Sequence, residues 1–261
     1  MSIVFSVVTI TYNASAVLQR TLDSVMEQQY EGVEHIIVDG ASTDGTVRMA
    51  MRYKERSDAA GNGHTVSVTS EPDRGLYEAM NKGLQRASGH FIIYMNAGDT
   101  FADAHTLKRV AMAAEDTPGN EMPAVVYGDT DIVDSKGRYL RHRRLHPGNN
   151  LTWKSFTRGM LVCHQAFYAR LDLAKRTPYD TRFRYSADVD WCIRIMKQAA
   201  QQHLPLTRVY AVTAFYMEEG QTTMHHKESL RERFAVMRAH YGLPLTVLMH
   251  GWFALRNLFS R

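Results

Sequence analysis

The constraint that leaves this chain least freedom is the alternation of strand and helix signals through its first hundred residues. Val4 to Thr9 is an unbroken apolar, β-rich run, the pattern of a strand buried in a parallel sheet. Leu18, Leu22 and Val25 share one face of a helix, with Asn13 or Ser15 as its cap. Val33 to Val38 reads as a second strand. It ends in the turn-rich segment Asp39 to Thr46, which leads into a helix around Val47 to Lys54. Residues 57–64 are polar and glycine-rich and read as a loop, and Val66 to Thr69 as a third strand. Leu76, Met80, Gly83, Leu84 and Ala87 give a third helical face, and Phe91 to Met95 a fourth strand ending at Asn96 to Asp99. Repetition of this kind builds an α/β fold, a mostly parallel sheet with right-handed crossovers. Ligands of such sheets bind beyond the carboxyl ends of the strands. Asp39, residues 71–74 and Asp99 all fall there and should converge on one cleft.

Beyond about residue 105 the pattern loosens. Ala124 to Val133, a turn over Asp134 to Gly137 and the segment from Tyr139 onward predict a hairpin. Val162 to Tyr168 and Val209 to Phe215 read as strands, and Asp188 to Lys197, Lys227 to Tyr241 and Leu245 to Phe259 as helices. At 261 residues, 44% hydrophobic and 22% charged, the chain has the make-up of a globular protein with room for a large core. The opening residues read as a strand rather than a signal peptide. No run approaches the ~20 apolar residues of a membrane span. Two cysteines, Cys163 and Cys192, argue for a reducing compartment rather than a disulfide framework.

The charge is unevenly placed. Between Asp134 and Asp172 there is no acid, and Lys136, Arg138, Arg141, Arg143, Arg144, Lys154, Arg158 and Arg170 stand unopposed. Arg231, Arg233, Arg238, Arg256 and Arg261 make the end of the chain basic as well. A polyanion, an anionic membrane surface or a diphosphate substrate all suit such a chain. No nucleic-acid-binding motif accompanies the charge, and no nucleic-acid partner is expected.

Several chemistries lack their motif. No glycine-rich phosphate loop follows the first strand, and there is no nucleophile elbow. Cys163 and His164 are adjacent; as strand neighbours they point to opposite faces, with the Cys buried and the His outward. What remains is a set of acids at element ends: Asp39, Asp99, Asp188 and Asp190. Each alone also serves as a turn or cap residue, and Asp190 pairs naturally with Arg194 one turn on.

In combination these segments resemble the family 2 glycosyltransferases, inverting nucleotide-sugar enzymes of the GT-A fold. SVVTITYN over residues 6–13 looks like the family's opening strand, and VDGASTDGT over 38–46 like its acidic turn. SEPDRGLYEAMNKG over 70–83 is similar to enzymes of bacterial exopolysaccharide and colanic acid biosynthesis. YMNAGD over 94–99 stands where the family places its metal-binding acids. The resemblance returns at residues 163–166, 185–190 and 220–223.

The resemblance implies roles. Asp39 would accept hydrogen bonds from the base or ribose, with Thr11 and Tyr12 as pocket wall; Arg74 and Asn81 would line the donor side. Asp99 would hold a divalent cation, Mg2+ or Mn2+, although Asn96 and Gly98 replace acids common at those places. Asp188 would be the general base, with Ala187 where a helper Glu often stands. His164, Gln165 and Thr222 would face the acceptor. Residues 1–225 would form the GT-A domain, 1–105 its nucleotide half and 106–225 its acceptor half. Residues 226–261 would be a helical extension lying on the cytoplasmic face of the inner membrane or packed on protein. The expected reaction moves a sugar, from a UDP-sugar by default, to a lipid-linked or growing cell-surface polysaccharide. A nucleotidyltransferase on a related sheet, and a nucleotide-sugar-binding scaffold subunit with a decayed site, are the competing readings.

Overall fold

The structure is a computed structural model that describes residues 2–119, 121–218 and 226–259. Four parallel strands come first: β1 (Phe5–Thr11), β2 (Val33–Asp39), β3 (His64–Ser70) and β4 (Phe91–Tyr94). Their connections are α1 (Leu18–Met26), α2 (Thr46–Ala60) and α3 (Leu76–Arg86). Then follow β5 (Thr100–Phe101), α4 (Thr106–Glu115), β6 (Val125–Val133), β7 (Tyr139–His142), β8 (Phe167–Arg170), α5 (Leu171–Arg176), α6 (Ala187–Gln201) and β9 (Leu206–Met217). The helices α7 (His226–Tyr241) and α8 (Leu243–Phe259) end the described chain. One sheet runs β3-β2-β1-β4-β8-β6-β9-β5, with β7 paired to β6. β1 to β4 pair in parallel, β8 joins β4 and β6 antiparallel, and β6 and β9 pair in parallel again.

Every residue of β1 is buried, because helices cover the sheet on both sides. A single apolar cluster extends from Phe5 through Phe91, Tyr127 and Phe167 to Trp191 and Val236, so one core spans both halves and reaches α7. A smaller cluster of Leu18, Leu22, Ile37, Ala50 and Tyr53 lies under α1 and α2. Gly83 lets α3 approach β1 closely: a Cβ there would stand 2.3 Å from Val8 Cγ1.

Several expectations need correction. α2 continues to Ala60, beyond Lys54 and into the expected loop 57–64, because Ala50, Tyr53 and Ser57 form its buried face while the polar residues between them face water. α4 and α5 were not anticipated. The run Val162 to Tyr168 is not one strand: His164–Ala166 is a 3-10 turn, and β8 begins at Phe167. Neither Asn13 nor Ser15 caps α1, whose N-cap is Val17 without a side-chain bond. Among the described residues, no helix is long and apolar enough to cross a membrane.

Candidate active site

Parallel pairing sets the ends of three strands side by side, with Thr11 opposite Asp39 and Asp39 opposite Ser70. Asp39 is fully buried and accepts hydrogen bonds from Ser42 N (2.8 Å), Ser70 Oγ (2.6 Å) and Ser42 Oγ. It therefore fastens the turn after β2. Asn13 ties the end of β1 to that turn: its N–H donates to Ser42 Oγ (2.8 Å) and its Oδ1 accepts from Thr43 N (2.9 Å). Asn13 and Ala41 both take left-handed backbone, at φ 45° and 60°. For Ala41 that conformation costs on the order of 1–3 kcal/mol, which the clasp around it must offset.

Above this floor Tyr12 is 65% exposed, an aromatic face presented at a strand end. The hydroxyl of Thr11 is buried without a hydrogen-bond partner among the described residues. Gly40 fills the gap between Tyr12 and Asp73: a Cβ there would meet Asp73 Oδ2 at 2.7 Å and the Tyr12 ring at 3.3 Å. Asp73 was not anticipated as a site residue, yet it is the acid beside Tyr12. The Arg74 side chain is 94% exposed, 4.0 Å from Glu78. Asn81, expected to line the donor side, is held by the segment before α6. Its amide donates to Tyr179 O (2.9 Å) and accepts from Tyr179 N (2.8 Å), locking α3 to the segment before α6.

A second centre forms where β4 ends. Gly98 has φ 101°, and a Cβ there would lie 2.6 Å from the Met217 methyl, so the turn admits only glycine beneath β9. Asp99 is 4% exposed; it accepts from Gln165 Nε2 (2.7 Å) and Met217 N (2.9 Å). Burial pushes its carboxyl up to about 6, against the pull of those two bonds and of the His164 and Arg20 charges. The 3-10 turn places His164 beside Gln165, and His164 is buried, not outward as strand geometry implied. Its Nε2 lies 3.2 Å from Asn96 Nδ2, and its Nδ1 3.5 Å from Asp188 Oδ2. With the Asn96 amide donating, Nε2 is the acceptor and Nδ1 carries the proton toward Asp188. Asp188 also accepts from Tyr77 OH (3.1 Å) and Val189 N (2.9 Å). Burial alone would raise its pKa. The hydrogen bond and charge of His164, then the charge of Arg233, bring it below the ordinary value. Asp188 is thus ionised at neutral pH.

The turn of residues 164–166 therefore joins the two expected acids: His164 touches the Asp188 side, and Gln165 holds Asp99. Asp190 stands apart as a tie between helices, bonded to Arg194 Nε (2.6 Å) and His240 Nε2 (2.8 Å). Thr222, with Gly220, Thr223 and His225, lies outside the described residues. Arg20, Tyr77 and Arg233 were missed. Tyr77 and Arg20 sit in ordinary helical patterns, and the approach of Arg233 depends on how α7 docks.

The family model described as Glycosyl transferase family 2 matches residues 6–175. The chain belongs to this family. A PGL/p-HBAD biosynthesis glycosyltransferase of Mycobacterium bovis is 32% identical over 249 residues, 94% of this chain and 89% of the relative. The amylovoran biosynthesis glycosyltransferase AmsB of Erwinia amylovora is 25% identical over 263 residues, covering 95% and 85%. Among solved structures, S. aureus TarS 1–349 in complex with UDP-GlcNAc superposes with TM-score 0.69 at 18% identity, covering 90% of this chain and 65% of that one. The chain spans 38% of a longer TarS structure. Mannosyltransferase PcManGT from Pyrobaculum calidifontis, in complex with GDP-Man and Mn2+, gives TM-score 0.59 at 17% identity, covering 98% and 81%. These likenesses establish the GT-A fold. In this family 2 transferase the matched span holds Thr11, Asp39, Asp99 and His164, while Asp188 follows it on α6.

Proposed function

We propose that this transferase moves one sugar, with inversion, from a nucleoside-diphosphate donor to a lipid-linked or growing cell-surface polysaccharide, with Asp188 as the general base. UDP-sugar is the default donor, the class to which the ligand in the TarS structure belongs. The biosynthetic name of AmsB supports the acceptor class. The observation that carries the reading is the Tyr77–Asp188–His164–Asn96 chain. It holds an ionised carboxylate at the start of a helix, linked through one short turn to the acid at the end of β4.

In the proposed step an acceptor hydroxyl gives its proton to Asp188 as its oxygen bonds to the anomeric carbon. The bond from that carbon to the diphosphate oxygen breaks, and the electron pair leaves with the diphosphate. A general base so placed contributes about 10²–10⁴ in rate. Tyr12 stacks on the base, and the free Thr11 hydroxyl and Asp73 offer polar contacts beside it. Asp39, braced by Ser42 and Ser70, and Asn81, braced by Tyr179, line the donor side with hydrogen-bonding capacity to spare. Arg74 reaches the diphosphate by charge-assisted bonds. Residues 1–105 thus serve the donor and 106–225 the acceptor.

The donor set at the end of β4 fits a divalent cation shared with a diphosphate. Asn96 Oδ1 is buried without a partner among the described residues, and each Asp99 oxygen accepts one bond there and keeps a lone pair. Among the described residues no group of three or more His, Cys, Asp or Glu could hold an ion alone, so donor phosphates would complete the oxygen shell. Asp99 and Asn96 would hold the ion, and it would supply positive charge to the departing diphosphate.

The extension from residue 226 is proposed to rest on an anionic membrane surface. Thr246, His250 and Phe253 share the inner face of α8; Thr246 is buried, and the His250 ring stands 5.0 Å from Phe234 of α7. Leu248 (68%), Trp252 (56%) and Leu255 (51%) are exposed on another face. An apolar stripe at i, i+4 and i+7 suits an interfacial helix.

The direct test is a thermal-shift screen against UDP, GDP, CDP and dTDP, each with and without Mn2+. The reading expects one nucleotide to raise Tm, more strongly with metal, and the shift to vanish in Asp99→Ala. Folded protein that responds to none of them would contradict it and favour the scaffold alternative.

A further inference from the structure

The helix that carries Asp188 is held at its start by a residue from the end of the chain. Glu232 on α7 accepts hydrogen bonds from three successive backbone N–H groups: Arg184 (2.8 Å), Tyr185 (2.7 Å) and Ser186 (3.0 Å). Ser186 is the N-cap of α6 and makes no side-chain cap of its own, so a carboxylate from another helix satisfies the approach to this helix. Ser186 Oγ adds a bond to Ser229 O (3.2 Å). Two turns further along α7, His240 meets Asp190 at 2.8 Å. α7 is thus fastened on either side of Asp188 along the chain.

The residue next to Glu232 completes the arrangement. Arg233 acts electrostatically on Asp188, with Arg143 opposing it and Tyr77 nearby. Its Nε is buried without a hydrogen-bond partner among the described residues, and no carboxylate there lies within salt-bridge distance of it. A largely buried guanidinium without a contact ion pair is costly unless a nearby charge compensates it. Asp188 is the carboxylate whose charge reaches it.

We propose that Glu232 and Arg233 are positioning residues for Asp188, so that the C-terminal helix completes the active site. Glu232 fixes the main chain of residues 184–186, and with it the line along which Asp188 meets an acceptor hydroxyl. Arg233, one residue on in the same helix, sets a buried guanidinium in the field of Asp188 and, after His164, offsets the burial of that carboxylate. The proposal rests on Asp188 being the base. The other titratable groups facing Asp188 are His164 from the 3-10 turn, Tyr77 from α3, Tyr179 from the segment before α6, Tyr216 from β9, Cys163, and Cys192 on its own helix. His164 meets Asp188 through Nδ1, and Arg233 is the permanent cation that acts on it.

The experiment compares full-length wild type, Asp188→Asn, Glu232→Gln, Arg233→Lys and Arg233→Met. It measures kcat and KM for a UDP-sugar, UDP affinity by calorimetry, and the pH dependence of kcat. Glu232→Gln keeps the side chain's size and one acceptor oxygen. It should lower kcat about tenfold or more, as expected of a displaced reacting group, with UDP affinity changed less than about twofold. Arg233→Met should move the acid limb of the pH profile upward, and Arg233→Lys should largely restore it. If Glu232→Gln fails to fold, Arg233→Met, which breaks no hydrogen bond among the described residues, still decides the matter. Unchanged kcat and an unmoved acid limb beside an inactive Asp188→Asn would overturn this inference and leave the transferase reading intact. A fully active Asp188→Asn would overturn that reading first.

Discussion

His35 lies fully buried between two hydroxyls, with Nε2 2.9 Å from Thr9 Oγ1 and Nδ1 2.7 Å from Tyr53 OH. Burial drives its pKa down to about 3. The unfolded chain takes up a proton near pH 6.5 and the native one does not. Stability is therefore fully present above pH 6.5 and falls as pH drops toward 3, by up to about 1.4 kcal/mol per unit. Melting curves should show Tm falling steadily from pH 6.5 to 4. His35→Leu should melt lower at pH 7.5, because two buried hydroxyls lose their partner, and should lose part of that slope. At the donor cleft, Tyr12→Ala should weaken UDP binding roughly five-fold or more, the worth of one base stack, while Tyr12→Phe stays near wild type; calorimetry reads both. The sequence makes Tyr12, Asp99 and Asp188 legible as residue types at element ends. It does not reveal how they are tied. Nothing in the sequence showed that Ser42 and Ser70 would brace Asp39 or that Tyr179 would hold Asn81. Bonds between segments far apart in the chain leave no periodic trace.

At the scale of elements, legibility followed burial pattern. β1, β2 and β4 were plain because they are almost wholly buried and each carries a run of Val, Ile, Phe or Tyr. α2 was cut short because only one face of it is apolar. The run at residues 162–168 misled because Val162, Cys163, Phe167 and Tyr168 flank the turn with strand-like residues while the polar His164 and Gln165 between them are buried. That turn matters most for the site, since it brings His164 and Gln165 to two different acids. α3 against β1 offers a sharp test of packing. The Cβ of Gly83→Ala would meet Val8 Cγ1 at 2.3 Å, and overpacking of this kind costs about 1–3 kcal/mol. Tm should drop by several degrees with UDP affinity retained in the folded fraction.

For the whole molecule, a single sheet joins a parallel half, whose strand ends carry the proposed donor side, to a mixed half beside which Asp188 stands. α7 then closes on α6, and α8, packed on α7, turns an apolar stripe outward. The basic run expected to stand unopposed is partly paired in the structure, Arg138 with Asp134, Arg141 with Glu218 and Arg170 with Asp172, and the exposed stripe of α8 specifies a surface far better than net charge does. Leu248→Glu with Trp252→Glu should reduce flotation with phosphatidylglycerol vesicles several-fold and leave UDP affinity unchanged. Equal flotation of variant and wild type would count against membrane contact through this face. The central claim is that a nucleotide-sugar cleft and the Asp188 base act together. It is tested most directly by measuring donor affinity and turnover in Asp188→Asn beside wild type, with the thermally matched protein confirmed folded. The account predicts UDP-sugar affinity within about twofold of wild type and transfer reduced about 10²-fold or more. Undiminished transfer in that variant would contradict it.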